Sequence, residues 1–191
     1  VAMPRITLPD PAHMDADQRA VHDRIVNGKR GRIQGPLRAA LHNAELAARW
    51  SALGELLRYD TSLTPRQSEL AILVTGRACN SPFEWHAHRL EGEKAGLSAE
   101  ILEALLAQQI PAGLDETEHA IVCFARELNA ANSVSDATYA RALALLGEKA
   151  VVELTALVGY YTMVAMTLNT HEIPLPEGVA PAFALPQRNG L

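Results

Sequence analysis

Apolar residues recur three or four positions apart along most of this chain, and no segment sustains two-residue alternation. That is the period of amphipathic helices, not of half-buried strands. Leu37, Leu41, Leu46, Trp50, Leu53, Leu56 and Leu57 keep the spacing and predict two helices meeting near Asn43, the first opened by Gly35-Pro36. Start signals are frequent. Asp15-Ala16-Asp17-Gln18 and Thr64-Pro65-Arg66-Gln67 have the form of capping boxes, and Gly28 closes the helix that follows the first. The second launches a helix carrying Leu70, Leu73, Val74 and Arg77. Ser81-Pro82-Phe83-Glu84 begins another that stops at Gly96, and Ser98 opens a short one. Asp115 to Glu118 starts the next, and Ser135-Asp136 one that ends at Gly147. A last long helix runs from about Glu148 to Asn169, with Pro174 and Pro176 behind it.

The predicted fold class is therefore all-α, one domain of roughly eight helices. We divide it into an N-terminal helical extension over about 1–60, a core over about 61–173 and an extended Pro- and Gly-rich arm over 174–191. The last helix is apolar on most of its circumference, from Val151 to Leu168, so it belongs in the core or in an oligomer interface. Gly159 within it would admit a close neighbouring helix. A homo-oligomer is the expectation.

Composition narrows the function classes. The 191 residues are 48% hydrophobic, enough for a real core, and only 5% aromatic, which suits helices better than a β-sandwich. A net charge of −5 argues against a nucleic-acid partner. No apolar core follows Arg5 as in a secretory signal, and the most apolar stretch, Leu154 to Leu168, spans about 22 Å as a helix, short of a bilayer. A cytoplasmic protein without a membrane partner is expected. Cys79 and Cys123 are far apart and form neither a disulfide framework nor a zinc motif. The basic loop Lys29-Arg30-Gly31-Arg32 suits a solvated loop better than an anion site.

The densest polar cluster is Cys79 to Arg89. Within it Glu84 and His88 stand at i and i+4, on one helical face and within reach of each other. A carboxylate beside an imidazole fixes its tautomer and raises its pKa, which makes an acid/base pair. Glu69 on the preceding helix approaches the same face if the two helices fold back around Asn80. The competing reading is structural: Ser81-x-x-Glu84 is itself a capping box worth about 1 kcal/mol, with His88 a surface partner. Trp85 suits core packing as well as a substrate platform, and Tyr160 and Tyr161 suit a pocket or an interface equally. His86 and His88, two apart, point to different sides, so no metal is expected.

The stretch Pro65 to Gly96, with Arg66-Gln67-Ser68-Glu69-Leu70-Ala71-Ile72-Leu73 and Glu84-Trp85-His86-Ala87-His88, resembles the carboxymuconolactone decarboxylase-like (AhpD-like) family. Leu41 to Ala47, Ala95-Gly96-Leu97-Ser98, Gly159-Tyr160-Tyr161 and Leu168-Asn169 resemble its flanking landmarks. In the alkylhydroperoxidase branch the site is a glutamate, a CxxC pair and a histidine four residues later. Those positions fall here on Glu69, Ser81, Glu84 and His88, so the redox pair is missing. Serine and carboxylate cannot cycle through sulfenic acid and disulfide. The pattern resembles the decarboxylase branch, which the resemblance implies acts without a cofactor on a small carboxylated lactone.

Under that resemblance Glu69, Glu84 and His88 are the expected catalytic residues, and Ser81, Trp85, His86, Arg66 and Tyr160 the expected substrate contacts. Arg66, Arg77 and Arg89 are local candidates for a substrate carboxylate. The family forms trimers or hexamers, and the same is expected here. The alternatives are an alkylhydroperoxidase-like antioxidant protein using Cys79, or a non-catalytic helical oligomer that binds a small ligand.

Overall fold

Helix-start chemistry decides where the elements begin. In the computed structural model, which describes residues 3–29 and 31–185, eight helices and no strand are found among the described residues. Asp15, Thr64 and Asp115 close full capping boxes on Gln18, Gln67 and Glu118, starting α1 (Ala16–Asn27), α4 (Pro65–Ala78) and α7 (Glu116–Ala131). Asn43, Ser98 and Ser135 cap α3 (Ala44–Tyr59), α6 (Ala99–Leu106) and α8 (Asp136–Thr170) through single side-chain bonds. Pro36 and Pro82 occupy the first positions of α2 (Pro36–Ala40) and α5 (Pro82–Lys94). Gly147 breaks α8 with φ 78° and ψ 167°, which separates the two helices the sequence predicts there.

The core is built around α4. Nine consecutive residues, Ser68 to Gly76, are buried, because α4 packs on α5, α7 and α8. Leu70, Ile72 and Leu73 are almost fully enclosed, each burial contributing about 1.5–3 kcal/mol. The helix ends in a Schellman motif: Asn80 N–H donates to Arg77 O and Ser81 N–H to Gly76 O, with Asn80 left-handed at φ 49°. The chain is thereby turned back, and α5 lies against α4. Gly76 sets their separation, since a Cβ there would stand 3.1 Å from Glu84 Cβ.

In α8 the sequence expectation holds for one side only. Leu154, Leu157, Val158, Tyr161, Val164 and Leu168 are buried, but Val152 is 69% and Met166 62% exposed. Gly159 faces open space, with nothing within 4 Å of an added Cβ, so it serves no helix contact within the protomer. The helix is also longer than the apolar stretch suggested. By length and composition alone it could cross a membrane, and half of its apolar window is buried in this fold. The N-terminal segment is tied down by Arg5 N–H to His171 O at 2.8 Å and by Arg38 Nε to Pro9 O at 3.1 Å. The arm after Ile173 brings the Phe183 ring against Arg77. Its residues 186–191, like Arg30 of the basic loop, lie outside the described residues.

Candidate active site

The antiparallel return of α5 on α4 brings three ionisable side chains together inside the core. His88 Nδ1 donates to Glu69 Oε2 at 2.7 Å, and its Nε2 stands 3.6 Å from Glu84 Oε2. All three residues are buried, at 7%, 4% and 5% exposure for Glu69, Glu84 and His88. Burial alone would depress the His88 pKa, but the charge and hydrogen bond of Glu69 and the charge of Glu84 outweigh it and raise it above the ordinary value. Tyr161 closes the cluster edge-on, its ring centroid 4.8 Å from that of His88 at an interplanar angle of 85°. Burial, against the pull of Arg58, holds the Tyr161 phenol well above its usual pKa, so it stays a neutral hydroxyl.

The cluster opens on a cavity of about 470 Å³ whose wall includes Glu84, His88, Tyr160 and Tyr161. Leu37, Phe83 and Val164 make that wall partly apolar, and Gly31, Arg32 and Gln34 of the basic loop border it. Part of the loop thus stands over a cavity instead of being only a solvated connection.

The wall also contains a residue that sequence reasoning missed. Arg58, near the end of α3, lines this cavity and a neighbouring one of about 240 Å³ that reaches Glu69. It feels the charges of Glu69 and Glu91. With both carboxylates ionised and His88 protonated, the cluster carries one net negative charge, and Arg58 offsets it. The available signal was positional. Ala47, Trp50, Ser51, Gly54 and Leu57 form the buried stripe of α3, and Arg58 continues it.

Of the expected substrate contacts, Tyr160 is in the wall and the others are not. Trp85 is 2% exposed and packed in the core with its indole N–H unpaired. Its side of α5 faces the hydrophobic core, so the platform reading is corrected to packing. Ser81 is fully buried and outside the wall. It caps α5 by position only, without a side-chain bond, so the Ser81–Glu84 capping box does not form and Glu84 turns inward to the cluster. His86, on another side of α5, is half-buried and also outside the wall. Arg66 is drawn away by Glu118, Nε to Oε1 at 2.5 Å, and by the Gly96 carbonyl. Arg89 pairs with Glu93 on the surface, and Arg77 lines a separate cavity. Cys79 is half-buried, and burial pushes its thiol pKa up despite a hydrogen bond with Thr162.

No curated protein matches the sequence at a significant level. Several solved structures match the fold. An uncharacterized peroxidase-related protein from Ralstonia eutropha JMP134, described as an alkylhydroperoxidase AhpD core, superposes with a TM-score of 0.77 at 15% identity, covering 93% of this chain and 94% of that one. A peroxidase-related protein from Silicibacter sp. TM1040 gives 0.74 at 16% identity, covering 90% and 91%. The debrominase Bmp8 gives 0.71 at 11% identity, with 91% of each chain covered. At such identities the likeness is one of fold. The model of the carboxymuconolactone decarboxylase family, in contrast, matches in sequence, over residues 44–127. Those residues, which carry Arg58, Glu69, Glu84 and His88, belong to the carboxymuconolactone decarboxylase family, set within an AhpD-like helical fold.

Proposed function

We propose that this chain is a cofactor-free acid/base enzyme acting on a small carboxylated lactone or related ring compound, with decarboxylation as the reaction. The observation that carries the reading is the buried Glu69–His88–Glu84 cluster at a cavity wall that also holds Arg58. Loss of CO2 leaves its bonding electron pair delocalised into the ring carbonyl, so the enzyme must stabilise a dienolate and protonate a carbon. In this reading Glu69 fixes the imidazole through Nδ1, and His88 Nε2–H delivers the proton. Neutral His88 regains a proton from solvent by way of Glu84. Arg58 offsets the charge of the substrate carboxylate against the two glutamates. The apolar part of the wall suits a flat ring.

The same reading carries the homo-oligomer, trimer or hexamer, which would cover the exposed apolar side of α8. Division into an extension before about residue 60 and a core after it goes with this proposal, although Arg58 ties the extension to the site. The antioxidant alternative would use Cys79, whose raised pKa disfavours a reactive thiolate. Alkylating both thiols separates the two: activity survives under the acid/base reading and is abolished under the other.

The deciding experiment follows ultraviolet absorbance of 4-carboxymuconolactone with wild type, Glu84→Gln and His88→Ala. Turnover by wild type and a loss of about 10²–10⁴-fold in both variants is expected. No turnover by wild type overturns the lactone assignment. Since Bmp8 is also seen with 2,3,4-tribromopyrrole, brominated pyrroles are the next ring compounds to assay.

A further inference from the structure

A second cavity, of about 300 Å³, lies between α4, the end of α6 and α7, and shares no wall residue with the acid/base cavity. Its polar wall contains two guanidinium groups, Arg77 and Arg126, with the side-chain amides of Asn129, Gln108 and Gln109. Val74 and Leu105 supply apolar floor. No carboxylate is part of it.

Arg77 is held in place without being neutralised. Its Nε donates to Leu106 O and its Nη1 to Asn80 Oδ1, both at 2.9 Å, and the Phe183 ring covers one face at 4.4 Å. These partners fix the plane of the guanidinium but carry no negative charge. Arg126 makes neither a hydrogen bond nor a salt bridge among the described residues. The acidic residues of α7 are engaged elsewhere: Glu116 with Arg141, Glu118 with Arg66, Glu127 with Ser135 and Thr138. In a chain of net charge −5, two arginines facing one concave space without a carboxylate are an uncompensated positive field.

Guanidinium groups match carboxylates through paired N–H donors, and neighbouring amides can complete the hydrogen bonding. The apolar floor adds selectivity for an anion that carries a hydrocarbon body. We propose that this cavity is a binding site for a small organic carboxylate of about the size of one ring, separate from the acid/base pocket. Arg77 is the preset half of the clamp and Arg126 the adaptable half. Asn129 already donates to Thr75 Oγ1 and Ala125 O, so its amide is oriented before any ligand arrives.

The test is a two-dimensional NMR titration of the full chain with benzoate, with benzamide as the uncharged control and inorganic phosphate as the bare anion. Saturable benzoate shifts are expected at the side-chain amides of Asn129, Gln108 and Gln109 and at the Ala78 and Ala130 backbone. Benzamide and phosphate should each bind at least about tenfold more weakly, one unpaired charged contact being worth that much. Arg126→Gln should weaken benzoate by a similar factor. Ala130→Glu, which places a carboxylate at the rim, should abolish binding while the spectrum stays folded. Absence of saturable shifts overturns the proposal. So do shifts confined to Leu37, Ala87 and Val164 around the acid/base pocket, equal binding of benzamide, or equally tight binding of phosphate.

Discussion

Arg66 and Glu69 sit three residues apart on the same helix, and each meets a buried partner from a distant part of the chain. Arg66 reaches Glu118, and Glu69 reaches His88. The first pair is closed. Glu118 accepts from Arg66 and from the Asp115 backbone N–H, and it completes a capping box, while Arg66 also donates to the Gly96 carbonyl. The second is left partly open. His88 has one short contact and one of 3.6 Å, in a cavity wall beside Arg58. A network with each lone pair and proton engaged can hold a fold but has nothing to offer a substrate. One that faces a cavity with an unfinished contact has a proton to move.

The largest effect expected from this contrast is on turnover. Glu69→Gln keeps the shape but removes the charge that holds His88 protonated, so turnover should fall about 10²–10⁴-fold. The melting temperature should move little, because an isosteric amide can still bond His88. Steady-state assays beside thermal melts check both halves. An unchanged rate would return Glu69 to a structural role.

The pH dependence sharpens the same point. Buried His88 would by itself titrate low, but Glu69 and Glu84 raise its pKa above 6.5. A raised folded-state pKa contributes stability that is fully present below the unfolded value and is lost as pH rises through the folded one. Activity requiring His88–H⁺ should follow the same limb, persisting past neutral pH and falling on the alkaline side. The limb should move to lower pH in Glu69→Gln. An NMR titration of His88 in both proteins measures it directly, and a limb at or below the ordinary histidine value in wild type would sink the assignment.

Glu118→Gln gives the converse. Arg66 keeps its Gly96 contact and is about a quarter exposed, so loss of its charged partner should cost about 1–3 kcal/mol in chemical denaturation. Turnover per folded molecule should be unaffected. A lowered rate at full folding would mean that the closed network also positions the site.

These differences also mark what the chain shows before it folds. Helix starts were readable because their chemistry is local: Asp15, Thr64, Asp115 and Ser135 each bond a backbone N–H three residues on. Glu84 and His88 were readable for the same reason, as an i,i+4 pair, and the approach of Glu69 needed only the turn at Asn80. The fate of the arginines was not local. Arg66 is captured by Glu118 from 52 residues away, and Arg58 enters the site only because α3 docks its Trp50–Leu57 stripe inward. Trp85 and Glu84 are neighbours on α5, yet one fills the core and the other borders the cavity, which periodicity alone does not decide.

Ser81 gives the smallest effect and a direct test of which reading of Ser81-x-x-Glu84 is right. A working cap loses about 1 kcal/mol when serine becomes alanine. Ser98 and Ser135, which bond Ile101 N–H and Thr138 N–H, should each show that loss. Ser81 makes no such bond, and its buried hydroxyl has no protein partner, so Ser81→Ala should be neutral within about 0.5 kcal/mol or slightly stabilising. Because Ser81 lies outside the cavity wall, turnover should be retained as well. Denaturation of the three variants side by side measures the difference. If Ser81→Ala costs as much as the two working caps, the hydroxyl is bonded in solution and Glu84 is held at the helix end, so the inward cluster would not be the resting state of the site.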